Sequence, residues 1–288
     1  MNVFEKILCF LQLEMEEPKA FGWFHLTCLG IVAGLIILLA LNKKKYSEKQ
    51  LKIVLGIYGI TALILETLKQ ISWSFNYDAL AGTSTWNYQW YAFPFQLCTT
   101  PIFISLICLF LKKNKLRDYL LCYMAYVTIL GSISTMLLPD DCLVSDILVN
   151  IHTMWLHLGS FVVSIYLLMS KNVEIKISSL RKAILVFIVF VLTANSMNIL
   201  IYNSGILNGE TFNMFYISPY FISSLPVFDV IQPNVPYIIY LLIYVCVLSL
   251  GAFIIYCISK LATINLKKSK KESQKVAAKE KEYATSKK

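Results

Sequence analysis

Seven long apolar runs divide this chain, near residues 23–41, 52–73, 94–111, 119–138, 147–169, 183–203 and 236–262. A helix needs about 20 mostly apolar residues to cross the roughly 30 Å hydrocarbon core of a bilayer, and each run is near that length. Strands that cross a membrane alternate polar and apolar residues, which these runs do not. The connections alternate as well. Residues 42–52 carry Lys43, Lys44, Lys45, Lys49 and Lys52, and residues 112–118 carry Lys112, Lys113, Lys115 and Arg117. Residues 170–182 carry Lys171, Lys176, Arg181 and Lys182, whereas residues 74–93, 139–146 and 204–235 carry neither Lys nor Arg. Lysine and arginine collect in cytoplasmic loops. The expected fold is therefore all-α: a polytopic membrane protein, a bundle of seven transmembrane helices with its N-terminus outside and its C-terminus inside.

A net charge of +9 would suit a nucleic-acid binder, but its location argues otherwise. Nine Lys against three Glu between Lys267 and Lys288 supply +6 of the +9. Residues 263–288 are expected to form a basic, disordered cytoplasmic tail drawn to anionic headgroups. The partners implied are membrane phospholipids, with no nucleic acid. Residues 1–22 read as a short interfacial helix on the outer surface, because Val3, Phe4, Ile7, Leu8 and Leu11 recur at helical spacing. The transmembrane domain is then 23–262. Eight cysteines show no CxxC spacing, and no phosphate loop or nucleotide fingerprint is present. No metal and no cofactor is expected.

Polar side chains inside a bilayer are costly, and they tend to face the bundle interior and mark function. Glu66, Lys69, Gln70 and Trp73 follow i, i+3, i+4, i+7 in the outer half of the second span, which sets them on one face. The third span starts Phe93-Pro94-Phe95-Gln96-Leu97-Cys98-Thr99-Thr100-Pro101. Pro101 cannot donate to the Leu97 carbonyl, so irregular backbone is expected around Cys98. Asn150, Thr153, His157, Ser160 and Ser164 draw a polar stripe down the fifth span, which reads as the wall of a cavity. His152 sits nearer the surface on another face. Asn195, Asn198 and Tyr202 add polar groups in the sixth span, and His25 lies near the outer end of the first. The polar groups thus gather in the outer half. The connection at 204–235 is rich in aromatics and proline and is expected to roof them.

The FPFQLC lead-in to the third span, the HLGSFVVSIYLL run in the fifth and the NMFYISP segment at Asn213–Pro219 resemble the YwaF family. These are bacterial integral membrane proteins related to vertebrate transmembrane protein 164. The resemblance covers about His25 to Tyr240. It implies phospholipid acyl transfer that depends on a cysteine and a histidine. The histidine's place, eight residues before IYLL, is held here by His157. The vertebrate NPCH motif is replaced by Phe93-Pro94-Phe95-Gln96, so Phe95 stands where the nucleophile would be. Cys98 fits the bacterial LPLHLC pattern instead, and Gln96 departs from it.

The candidate catalytic pair is therefore Cys98 as nucleophile and His157 as base. Glu66, Gln96, His152, Asn198 and Asn213 are the candidate substrate-binding residues. Two other classes stay open: a non-catalytic protein or transporter that binds a lipid or small molecule, and a non-enzymatic partner in envelope assembly. Seven spans do not divide into the paired repeats common in transporters. The abundance of Lys, Ile and Asn suits a bacterial source and hence the cytoplasmic membrane.

Overall fold

The computed structural model describes residues 1–41, 47–139 and 142–286, with side chains to residue 265. Lys43–Lys45 and the last two lysines lie outside the described residues. The chain is helical nearly throughout. After α1 (Val3–Leu11) come α2 (Trp23–Leu41) and α3 (Glu48–Ser74), then a hairpin of β1 (Phe75–Asp78) and β2 (Thr83–Trp86). Then follow α4 (Thr100–Phe110), α5 (Lys115–Tyr126), α6 (Thr128–Leu137), α7 (Ile147–Met169), α8 (Ile177–Asn203), α9 (Phe228–Ile231) and α10 (Tyr237–Ser286).

Among the described residues, six helical stretches are long and apolar enough to cross a membrane, α5 and α6 counting as one, and α4 is a shorter apolar seventh. Local chemistry sets their starts. Asn2 and Glu5 close a capping box on α1, while the Ser47, Asn114 and Asp146 side chains cap α3, α5 and α7. Pro101 sits in the first turn of α4, where its missing N–H costs no helical bond. The α5–α6 break at Val127 leaves the Met124 carbonyl to the hydroxyls of Thr128 and Ser164. α10 continues as helix from its apolar part to Ser286, across the segment expected to be a disordered tail. Its Lys, Glu and Ala residues are good helix formers.

Large side chains such as Ile37, Ile57, Leu192 and Leu250 are exposed along the helices, as a lipid-facing surface requires. The interior holds Tyr58, Tyr123, Tyr166, Phe187, Tyr240 and Tyr244. α2 stands apart from this core and packs through Val32 against Met154, Leu158 and Val162 of α7. Gly59 of α3 lets α4 come close: a Cβ there would meet Ser105 at 3.0 Å and Leu106 at 3.2 Å.

The two ends of the bundle differ as the charge pattern requires. At the basic end, Arg117 pairs with Glu48 at 2.6 Å and Lys182 with Asp118 at 2.5 Å, tying the three basic connections together. At the other end the connections bind one another without Lys or Arg. Gln12 donates to the carbonyls of Ser72 and Phe75, Ser84 to Glu5, and Asn87 and the Trp90 amide to Glu210. Met15 pairs through its backbone with Ser145. By the charge bias of the connections, this is the end expected outside.

Candidate functional site

In the outer half of the bundle, α3 and α7 meet through charge. Glu66 is buried and its two oxygens are both used. One lies 2.6 Å from His152 Nε2 on α7, and the other takes Lys69 Nζ at 2.8 Å and Gln70 Nε2 at 2.7 Å. Helical spacing in α3 places all three polar side chains on one face, as expected from sequence, and Glu66 reaches α7 from it. Gln70 also donates to the Ala92 carbonyl, and Lys69 lies 5.5 Å from the centre of the Trp73 ring. His152 is 4% exposed, and its Nδ1 is buried with no hydrogen-bond partner among the described residues. A histidine held at one nitrogen by a carboxylate keeps the other as a proton acceptor.

Cys98 lies in the turn that leads into α4. Residues 96–99 form a turn rather than helix: Gln96 N–H donates to Thr99 Oγ1, and the Thr99 and Thr100 amides return to the Gln96 carbonyl. The charges of Lys69 and Glu66 both act on the Cys98 thiol. Tyr58 and Tyr123 also feel Cys98. Tyr123 is bonded to Thr100 at 3.0 Å, and Tyr58 donates to the Leu156 carbonyl. Phe95, in the position of the related nucleophile, packs against Phe190 and Phe215.

His157 lies elsewhere. Its ring bonds to the backbone of Gly131 on α6. Its neighbours in the polar stripe do the same work: Ser160 bonds to Thr128, Ser164 to Met124 O, and Asn150 to both backbone groups of Val144. The stripe expected to line a cavity is instead the seam along which α7 binds α5, α6 and the turn before α7. Small polar residues at helical spacing suit either role, and the partners on α6 decide it.

Three further candidate residues are engaged by the roof. Asn198 clasps Met214 through its N–H and carbonyl, at 2.7 and 3.0 Å. Gln96 accepts from the Phe215 amide and donates to the Asn213 carbonyl. Asn213 accepts from the Ser218 amide and donates to Ile222. These amides hold Phe215 and Tyr216 at φ 58° and 57°, a left-handed conformation that bulky residues rarely adopt. The structure therefore joins Glu66 to His152, seats His157 against the α6 backbone, and spends Gln96, Asn198 and Asn213 on the loop. Tyr58 and Trp155 carry no signal in the sequence: as lone aromatics in apolar spans they show no polar spacing.

Residues 20–256 match the family model described as the TMEM164 family. The chain belongs to the TMEM164 family. Curated proteins and solved structures give no match. The TMEM164 match takes in every residue of the charged cluster, the turn at Cys98 and the roof. It makes the chain a multi-pass membrane protein with several apolar helices.

Proposed function

We propose that this protein, in the cytoplasmic membrane of a bacterium, moves an acyl chain from a phospholipid at the outer half of the bilayer. Cys98 is the nucleophile, and His152, oriented by Glu66, is the base. The observation that carries this reading is the 2.6 Å His152–Glu66 contact, which leaves an imidazole nitrogen without a hydrogen-bond partner among the described residues; Glu66 also acts electrostatically on Cys98, held in the turn before α4. A nucleophile, a base, and a third group that orients the base make up the recurring set for acyl transfer. His152 takes the thiol proton as the thiolate attacks an ester carbonyl. The ester C–O bond breaks, the lysophospholipid leaves with that proton, and a thioester remains on Cys98. An acceptor alcohol then attacks the thioester, its proton passes through His152, and the thiol is restored. The positive charge of Lys69 acts on Cys98 and favours its thiolate.

The test incubates purified protein with a phospholipid bearing an alkyne-tagged acyl chain and reads hydroxylamine-sensitive labelling. Labelling is expected in wild type, lost in Cys98→Ala, reduced at least about a hundredfold in His152→Ala, and retained in His157→Ala. An unlabelled wild type sinks the reading. One observation favours a second one: Phe95 fills the related nucleophile's place with packing. On that reading the same site binds phospholipid without reacting.

A further inference from the structure

A groove with a volume of about 200 Å³ runs between α2 and α7, away from the main core. Phe24, Ile31 and Leu35 form one wall, and Ile151, Trp155 and Val162 the other. Each wall advances eleven residues, roughly 16 Å at 1.5 Å per residue. Both begin near the outer ends of their helices and run inward. That length is about half of the roughly 30 Å hydrocarbon core, the depth of a single leaflet. Gly159 forms part of the lining, pressed so closely on Tyr58 that a Cβ would meet its ring at 3.0 Å.

We infer that this groove seats one acyl chain of an outer-leaflet phospholipid, which enters from the outer end and stops near the midplane. The inference rests on the reading that the protein handles phospholipid, and it names where the chain lies. Length matches one leaflet rather than a spanning helix of a partner. The lining is apolar throughout, and the Trp155 indole N–H is itself buried rather than open to the groove. His152 stands one turn outward of Trp155 on α7, so a chain seated here has its ester end toward the charged cluster.

The experiment uses full-length Cys98→Ala protein in phospholipid nanodiscs doped with a phosphatidylglycerol that carries a diazirine mid-chain. After irradiation, labelled peptides are mapped by mass spectrometry. Labelling concentrated on the α2 and α7 peptides supports the groove. It should fall roughly tenfold in Ile31→Trp, which fills the groove with bulk equivalent to a few methylenes. Ile31 is 56% exposed, so the protein should keep its fold, and Ile37→Trp, on the same helix outside the groove, should label as wild type does. Labelling spread evenly over all spans, or unchanged in Ile31→Trp, overturns the inference. Competition by free palmitate but not by added phospholipid overturns it too. Because the protein lacks Cys98, a labelled groove stands even where no thioester forms, and a thioester without groove labelling sinks the groove alone.

Discussion

The carboxylate of Glu66 neutralises buried Lys69 and holds His152 of α7, so its removal leaves the ammonium without a counter-ion and the imidazole without its partner. Breaking a buried ion pair by deleting one partner costs roughly 3–5 kcal/mol, whereas replacing the whole set by apolar groups is often neutral. Glu66→Ala should therefore lower the unfolding temperature in detergent by several degrees, and Glu66→Leu with Lys69→Met should recover much of the loss. Equal destabilisation by the single and double variants would mean that the cluster is not held by charge. The i, i+3, i+4 spacing makes the Glu66 face legible in the sequence itself, because helical geometry alone groups those residues. The fates of Gln96, Asn198 and Asn213 are not legible there. An amide that grips a distant backbone and one that faces a ligand look alike in sequence, and only the path of the 210–222 loop separates them. His157 shows the same limit, since its partner is the backbone of a glycine on α6.

Among the elements, the roof is the one under strain. Two consecutive aromatic residues with positive φ cost on the order of 1–3 kcal/mol each, and they persist only where surrounding bonds over-determine them. Asn198→Ala removes two of those bonds and should cost about 2–3 kcal/mol, as the Met214 amide and carbonyl lose their partners inside protein. Hydrogen exchange should quicken across residues 210–222 and stay slow in α8; unchanged protection would remove the roof from the account. The α3–α4 contact supplies a second test. Gly59→Val places atoms where Ser105 and Leu106 already lie and should destabilise by roughly 1–3 kcal/mol. At the surface, Asn2 and then Ser84 hold the Glu5 carboxyl below its usual range. A depressed carboxyl stabilises the folded state above its unfolded value and loses that effect as pH falls, so amide protection in α1 should drop as the solution is acidified below about pH 4.5. Helix starts are readable from Asn2, Ser47, Asn114 and Asp146. The shortness of α4 follows from Pro94, Thr99 and Pro101, which turn an 18-residue apolar run into a turn followed by 11 helical residues.

At the scale of the whole molecule, orientation follows from which connections share an end. The Glu48–Arg117 and Asp118–Lys182 pairs place three basic connections together, and the hairpin, the 142–146 turn and the aromatic roof gather at the opposite end. Charge bias then gives that geometry a direction, since loops rich in Lys and Arg are retained in the cytoplasm. The proposed site inherits its side from the same argument, because Glu66 and His152 sit toward the roof and the groove between α2 and α7 opens at that end. A phosphatase reporter that folds only outside the cytoplasm should be active when fused after Asn208, in the roof, and silent after Lys171, in the third basic connection. Activity after Lys171 would invert the protein, put the charged cluster in the inner leaflet, and require an inner-leaflet lipid for any chemistry at Cys98. The same pair of fusions with Lys176, Arg181 and Lys182 changed to Gln should show reduced contrast, because those charges anchor that connection inside.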